Sequence, residues 1–120
     1  MKIIITTSGS DLTAPVDSRF GRAPTFLIYD TDTTSYTLAY NQQNMNASQG
    51  AGIQSAQTVA ASGAQALITG HCGPKAFRVL AAAGIKVYTT TAGTVAEALA
   101  LYQEGKLVES SAADVEGHWA

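Results

Sequence analysis

In the second half of the sequence, short apolar runs alternate with longer segments whose apolar residues recur at helical spacing, and a glycine follows each of these longer segments. Glycine commonly ends helices because it adopts the left-handed conformation needed just after the last turn. The pattern predicts helices at 50–62, at 74–83 and from Thr94, with strands at 66–69 and 85–89 between them. Alternating strands and helices favour a parallel sheet that carries helices on its faces.

The first half of the sequence supplies the remaining strands. Residues 2–6 form a β-branched apolar run that suits a strand buried on both faces. The runs at 25–29 and 36–40 flank a polar turn and predict an antiparallel hairpin. The expected fold is α/β, with a mixed five-stranded sheet in which one strand is antiparallel. One domain is predicted over 1–109, followed by a C-terminal tail at 110–120.

Composition and charge exclude several classes of function. The 120-residue chain is 46% hydrophobic, carries a formal net charge of −2 and has no lysine-rich or arginine-rich block. We therefore expect neither nucleic-acid binding nor attachment to an anionic membrane. A single cysteine excludes an internal disulfide and a four-thiolate iron–sulfur site. The N-terminal residues lack a signal-peptide pattern, so a cytoplasmic protein is expected, as a monomer or weak dimer.

The stretch TGHCGPKAF, at 69–77, lies where a predicted strand ends and a helix begins. In such sheets ligands bind beyond the carboxyl ends of the parallel strands. Pro74 suits the first helical position, which places Gly73 at the N-cap. Gly73 has no side chain to occupy the first N–H groups, so those of Lys75 and Ala76 predict an anion site. The alternative is that Gly73 only makes a turn.

Cys72 and His71 precede this helix. The positive helix end predicts a lowered pKa for the Cys72 thiol and therefore thiolate character. In the alternative, Cys72 is a buried structural residue. Catalysis by Cys72 would require a base, but adjacent residues that leave a strand usually point apart, which disfavours a dyad with His71. His71 itself is either a ligand or hydrogen-bond donor, or simply a polar surface residue.

The stretch DSRFGRAP, at 17–24, belongs to the long loop after the first strand. Two arginines on such a loop, Arg19 and Arg22, can clamp an anion. In the alternative, Arg19 pairs with Asp17 and Phe20 fills the core. The two interpretations are compatible, because a loop that is pinned in this way positions the remaining arginine.

Two glycines at the start of the helix predicted over 50–62, Gly50 and Gly52, permit close approach of a ligand or of another backbone. Together the candidate residues supply hydrogen-bond donors and positive charge, with few carboxylates. The sequence contains no phosphate-binding loop motif and no paired carboxylates for two-metal hydrolysis.

These stretches resemble the dinitrogenase iron-molybdenum cofactor biosynthesis family. The resemblance is carried, in order, by DSRFGRAP, a GAGI helix start, TGHCGPKAF leading into AAGIKVY, and TVAEALALYQEGKL, over about residues 1–109. The family includes NifX, NafY, the C-terminal part of NifB and the orange proteins. Membership implies a ribonuclease-H-like three-layer α/β/α fold and the binding and carriage of a metal–sulfur cluster without catalysis.

The resemblance implies a molybdenum-containing sulfide cluster as cargo, weakly held and of Mo–Cu–S, Mo–S or Fe–Mo–S precursor type, together with cluster donor and acceptor proteins. A polyanionic cluster requires N–H donors, arginines and apolar cover. Cys72 and His71 are the candidate metal ligands. The residues predicted to bind the cluster are Ser8, Ser10, Arg19, Phe20, Arg22, Gly50, Gly52, His71, Cys72, Gly73 and Lys75.

Gln49 departs from the family, because many members carry a histidine there, and this argues against a histidine-ligated iron–molybdenum cargo. Two other functions are consistent with the residues. One is a regulatory or interaction module that binds a small anion or a partner loop without a cluster, which predicts a featureless visible spectrum after reconstitution. The other is an enzyme that uses Cys72, which predicts rapid, pH-dependent alkylation of the thiol.

Overall fold

The computed structural model describes residues 1–41, 51–91 and 93–111. Within these ranges the chain forms a five-stranded sheet, three α-helices and a short 3-10 helix. The strands are β1 (Lys2–Thr7), β2 (Thr25–Asp30), β3 (Ser35–Tyr40), β4 (Ala66–Thr69) and β5 (Lys86–Thr89). The α-helices are α1 (Ala51–Ala61), α2 (Pro74–Ala82) and α3 (Val95–Gln103), and the 3-10 helix is Phe20–Arg22.

The sheet has the strand order β3-β2-β1-β4-β5. β1 pairs in parallel with β4, and β4 with β5, whereas β2 runs antiparallel to both β1 and β3. The predicted mixed sheet with one antiparallel strand is confirmed. Because β1, β4 and β5 share a direction, the loops that follow them all leave the sheet at one edge, which is the edge where ligands of such folds bind.

Alternate residues of β1 face two separate cores, as the pleat of a strand requires. Ile4 belongs to a buried cluster with Leu80 and other residues of α1 and α2. Ile3 and Ile5 belong to a second cluster, which includes Leu99 and other residues of α3. The sheet is therefore covered by α1 and α2 on one face and by α3 on the other, so the predicted α/β/α layering is confirmed.

Each α-helix is followed by a glycine in the left-handed conformation. The angle φ is +84° at Gly63, +79° at Gly84 and +73° at Gly105. A residue with a Cβ is strained at such angles, so these glycines end the helices where the sequence predicts. α3 also begins as expected, with Thr94 as its N-cap and a capping box to Glu97. No helix in the described ranges is long and apolar enough to cross a lipid bilayer.

The last described segment runs along the edge of β5. Glu109 forms an antiparallel bridge with Tyr88, and the Ser110 N–H donates to the Val87 O at 2.7 Å. The end of the extended piece that follows α3 is therefore attached to the sheet.

Candidate functional site

A cleft of about 890 Å³ lies beside the C-terminal end of β4. Its walls come from the segment around the 3-10 helix, the start of α1 and the turn from β4 into α2. The lining residues are Ser18, Arg19, Phe20, Gly21, Gly52, Ile53, His71, Gly73, Pro74, Lys75 and Ala76. Sites for small ligands usually enclose about 300–1,000 Å³, so this cleft is the candidate binding site.

Residues 17–22, which we call the arginine arm, are fastened to the C-terminal end of β1. The Asp17 N–H donates to the Thr6 O at 2.9 Å. The Thr6 hydroxyl donates back to the Asp17 O at 2.8 Å. Thr6 is fully buried, so these bonds are shielded from water and fix the point from which the arm starts.

The arm crosses the turn after β4 at very short range. The Phe20 N–H donates to the His71 O at 3.2 Å, and Arg19 and His71 form a parallel bridge. A Cβ at Gly70 would lie 2.5 Å from the Ser18 Cα, which no side chain could tolerate. Gly70 and Ser18 lie in the two stretches that the sequence singles out but are not among the residues predicted to bind the cluster, although a glycine directly after a buried strand is typical of a close backbone approach.

Phe20 anchors the arm in the core. Its side chain is 2% exposed, and its ring stacks on that of Phe26 with centroids 5.9 Å apart and planes inclined by 20°. Phe20 also lines the cleft and gives it an apolar wall. Its interpretation as a core residue is confirmed, while its contact with a ligand stays a prediction.

Arg19 pairs with Asp17 within the arm. The buried Asp17 carboxylate accepts hydrogen bonds from the Arg19 backbone N–H at 2.8 Å, from Nε at 3.3 Å and from Nη2 at 3.2 Å. The side-chain hydrogen bonds to Asp17, together with the negative charge of that carboxylate, raise the pKa of the Arg19 guanidinium. The predicted pair is confirmed, and Arg19 also lines the cleft.

The N-terminus of α2 forms part of the cleft wall. Gly73 is its N-cap, with φ −71° and ψ 166°, and Pro74 takes the first helical position, as the sequence predicts. The N-cap makes no side-chain hydrogen bond to the first turn. Because Gly73, Lys75 and Ala76 all line the cleft, the positive end of the helix dipole is presented to its contents.

Cys72 lies in the core and not in the described wall of the cleft. Its side chain is 2% exposed and packs in the cluster between the sheet and helices α1 and α2. Burial raises the pKa of the thiol from 9.0 to about 12, because an apolar environment disfavours the thiolate. The predicted lowering of this pKa is therefore wrong. The alternative interpretation, a buried structural cysteine, is confirmed.

Of the two candidate metal ligands, His71 is the one at the cleft. Its side chain is half-buried and lines the site. The Cys72 sulfur lies 3.7 Å from the Gly73 O within the core. Among the residues that the structure describes, no three His, Cys, Asp or Glu side chains are grouped to hold a metal ion. Metal coordination by either residue stays a prediction.

The start of α1 forms the third side of the cleft. Gly52 and Ile53 line it, and a Cβ at Gly52 would lie 3.5 Å from the Ala76 Cβ of α2. Gly52 is thus at the site, as predicted, and Ile53, which is not among the residues predicted to bind the cluster, lines the cleft beside it. Gly50, the other predicted glycine, lies outside the described residues.

Ser8, Ser10 and Arg22 are not among the described residues that line the cleft. Both serines are exposed, and Arg22 is half-buried at the end of the 3-10 helix. The chain after β1 turns instead towards α3, where the Val95 N–H donates to the Ala14 O at 2.9 Å. Ser8 and Ser10 are predicted to bind the cluster and do follow a strand that ends at the correct edge, but the loop that they begin packs on the helix that covers the opposite face.

Comparison with known proteins gives consistent matches over most of the chain. The model of the dinitrogenase iron-molybdenum cofactor family matches residues 1–105. The apo orange protein from Desulfovibrio gigas has a TM-score of 0.88 and 40% sequence identity over 92% of each chain. A Thermotoga protein described as a candidate NifB protein of the DUF35 family has a TM-score of 0.79 and 37% identity, over 90% of this chain and 91% of that chain. An uncharacterized protein from Methanocaldococcus jannaschii is 32% identical over 100 residues, which cover 78% of this chain and 85% of that protein.

Proposed function

The chain belongs to the dinitrogenase iron-molybdenum cofactor family, and from this premise we propose that it binds and carries an anionic metal–sulfur cluster in the cleft. The cargo is of Mo–Cu–S, Mo–S or Fe–Mo–S precursor type, and the protein is a carrier or assembly factor, not a catalyst. The observation that carries the proposal is a single cleft in which an uncapped helix start and a guanidinium meet apolar walls.

The described wall of the cleft favours a polyanion. Arg19 and Lys75 bring positive charge, and the first N–H groups of α2 add the positive end of a helix dipole. The carboxylate of the arginine arm, on Asp17, is engaged by Arg19. Charge-assisted hydrogen bonds from guanidinium and amide donors are stronger than neutral ones, so they suit a cluster with several negative charges.

Apolar side chains form another part of the wall. Phe20, Ile53 and Pro74 line the cleft together. They would exclude water from a bound cluster, which strengthens each electrostatic contact because the local dielectric constant falls. Exclusion of water also protects a reactive sulfide cluster from hydrolysis.

In this proposal the cluster is held by charge and hydrogen bonds and not by a thiolate. The Cys72 thiol is buried and its pKa is about 12, so it stays protonated near neutral pH. A cysteine binds a metal as the thiolate. His71, which lines the cleft, is then the side chain placed to supply a metal bond. Binding of this kind weakens at high ionic strength, because salt screens partly exposed charges.

Anaerobic reconstitution tests the proposal. The apo protein is mixed with tetrathiomolybdate, with and without copper(I), passed through a desalting column, and examined by visible spectroscopy and metal analysis. Charge-transfer bands and stoichiometric metal that elute with the protein are the expected result. Arg19→Ala should reduce retention, whereas Lys86→Ala, which removes an exposed cation from β5, should leave it unchanged.

Colourless, metal-free wild-type protein from both mixtures would contradict the carriage of thiomolybdate clusters. The small-anion or partner-binding module would then be favoured, because an open helix start suits other anions equally well. Equal retention by the wild type and Arg19→Ala would leave carriage in place and remove the arginine from it.

A carrier requires one protein that supplies the cluster and another that accepts it. We extend the proposal to such donor and acceptor partners, and to a monomer or weak dimer in the cytoplasm, where reducing conditions preserve sulfide clusters. Neither nucleic acid nor a membrane belongs to the proposed role.

A further inference from the structure

Asp17 is a buried acid placed beside a site that favours anions. Resting on the proposed function, we propose that Asp17 is a positioning residue for the cargo. Its carboxylate holds the Arg19 guanidinium by one edge, so that the other edge is free to meet the cluster. The cargo contacts Arg19, and Asp17 acts only through that side chain.

The bonds between the two residues occupy one edge of the guanidinium. Oδ1 of Asp17 lies 3.3 Å from Nε of Arg19, and Oδ2 lies 3.2 Å from Nη2. A guanidinium carries its N–H donors in a rigid, planar fork. Because Asp17 takes the edge formed by Nε and Nη2, the edge formed by Nη1 and Nη2 is turned away from it. The Arg19 side chain is 65% exposed, and the residue lines the cleft.

Asp17 can define this geometry because its own position is fixed. The Arg19 backbone N–H donates to Oδ1 at 2.8 Å and thereby sets the orientation of the carboxylate. The Asp17 backbone donates a hydrogen bond to the Thr6 O and accepts one from the Thr6 hydroxyl. That hydroxyl lies 2.8 Å from the hydroxyl of Thr69. The position of the guanidinium is therefore fixed relative to the C-terminal ends of β1 and β4.

Two opposing effects of Asp17 on an anionic cargo can be separated. Ordering the Arg19 side chain before the cargo arrives reduces the conformational entropy lost on binding. The negative charge of Asp17 also offsets part of the attraction between Arg19 and an anion. Positioning predicts weaker binding when the carboxylate is replaced by an amide, whereas charge compensation alone predicts tighter binding.

The variant Asp17→Asn keeps an oxygen that can accept the Arg19 backbone N–H but loses the charge that holds the guanidinium. Retention of tetrathiomolybdate by the full chain should fall about threefold to tenfold, as for the loss of one charge-assisted hydrogen bond that is partly exposed. Asp11→Asn is the matched control, because Oδ1 of Asp11 accepts the N–H of Thr13, two residues on, at 2.9 Å. Asp11 does not line the described cleft, so this variant should retain the cluster as the wild type does.

Two further measurements separate positioning from a general loss of structure. In the Arg19→Ala background, Asp17→Asn should cause no additional loss of retention, because its effect passes through the guanidinium. In NMR spectra of the cargo-free protein, the Arg19 Nε–H resonance should be observable in the wild type and lost in Asp17→Asn.

Unchanged or tighter retention of tetrathiomolybdate by Asp17→Asn would overturn the proposal. The proposal would also fail if Asp17→Asn reduced retention as much in the Arg19→Ala background as it does in the wild type. A wild type that retains no thiomolybdate would overturn the proposed function, and the NMR comparison would then decide the role of Asp17 alone. Loss of the Arg19 Nε–H signal in Asp17→Asn would support positioning, and an unchanged signal would contradict it.

Discussion

Two helices begin at the same edge of the sheet, α2 after β4 and α3 after β5, and their first turns are built in opposite ways. At α3 the Glu97 N–H donates to the Thr94 hydroxyl at 3.1 Å, and the Thr94 N–H donates to the Glu97 carboxylate at 3.1 Å. The chain after β1 adds a further acceptor, since the Val95 N–H donates to the Ala14 O at 2.9 Å. The start of α3 is therefore closed by protein atoms.

α2 has neither device. Gly73 has no side chain to accept a hydrogen bond, and Pro74 has no N–H to donate. The helix itself is regular, because the Phe77 N–H donates to the Gly73 O at 2.9 Å. Both Lys75 and Ala76 line the cleft, so the N–H groups that a capping side chain would normally occupy are directed to the site.

This comparison separates stability from binding. A capped start stabilises a helix by about 1 kcal/mol and uses up the N–H groups of the first turn. An uncapped start forgoes that stabilisation and keeps a site for an anion. In this molecule the start of α3 contributes to the fold and the start of α2 to the candidate site, although the two helices follow neighbouring strands of the sheet.

The largest effect is expected at Cys72, where the pH dependence of stability shows whether the positive start of α2 stabilises a thiolate in the core. Cys72 directly precedes the N-cap, and its pKa is about 12 in the folded protein against an ordinary value of 9.0. Below pH 9.0 the thiol is protonated in both the folded and the unfolded chain and does not affect stability. Between pH 9.0 and about 12 only the unfolded chain loses the proton. Over that range the free energy of unfolding should fall by about 1.4 kcal/mol per pH unit.

Denaturant titrations of the wild type and Cys72→Ala across this pH range check the prediction. The difference between the two chains isolates the thiol, because every other titratable group is common to both. The wild type should lose stability more steeply with rising pH. Parallel losses in both chains would mean that the open start of α2 stabilises a thiolate in the core, which would extend the contrast between the two helix starts beyond the cleft.

The parts of the fold that could be predicted from the sequence are those with local causes. Gly63 and Gly84 end helices because of their own backbone conformation. The capping box of α3 is complete within the four residues from Thr94 to Glu97. The β-branched run at 2–6 needs only burial on both faces to become the central strand β1. Each of these signals is read without knowledge of any distant contact.

Features of the site that depend on adjacent residues could be predicted from the sequence, whereas features that depend on contacts between distant segments could not. Gly73 and Pro74 define an uncapped helix start by themselves. The burial of Cys72 depends on how α1 and α2 cover the sheet, so a prediction based on the helix end alone gives the wrong direction for its pKa. The positions of Ser8 and Ser10 depend on contacts between the following loop and α3, which no short motif records.

The second prediction converts α2 into a helix start of the closed type. The backbone angles at Gly73, φ −71° and ψ 166°, are ones that any residue can adopt. In Gly73→Asp the new carboxylate would accept the first N–H groups of α2 and repel an anion. Retention of tetrathiomolybdate should fall about tenfold, or about 1.4 kcal/mol, while the melting temperature is unchanged or slightly raised. Desalting with metal analysis, together with thermal unfolding, measures both quantities.

Thr94→Asp is the matched control for this variant. Aspartate is also a good N-cap, and the substitution adds the same charge at a helix start that does not line the described cleft. Retention should remain at the wild-type level. Equal losses in the two variants would show that total charge governs retention, and the distinction between the two helix starts would then be lost.

The smallest effect is expected at α3. Thr94→Ala removes the hydroxyl that accepts the Glu97 N–H, so the free energy of unfolding should fall by about 1 kcal/mol. The loss is limited because other first-turn groups keep their acceptors, as the Ala96 N–H does with the Leu12 O at 2.8 Å. Thermal unfolding should show a melting temperature lowered by about 4 °C, and Thr94→Ser, which keeps the hydroxyl, should recover most of it.

Cluster retention by Thr94→Ala should equal that of the wild type at temperatures where both are folded, because neither Thr94 nor Glu97 lines the described cleft. The retention measurement therefore tests whether the start of α3 also supports the site. If retention falls while the chain stays folded, the closed start of α3 supports the site as well as the fold, and the two helix starts act as one unit across the edge of the sheet. If only the melting temperature falls, stability is supplied at one helix start and binding at the other.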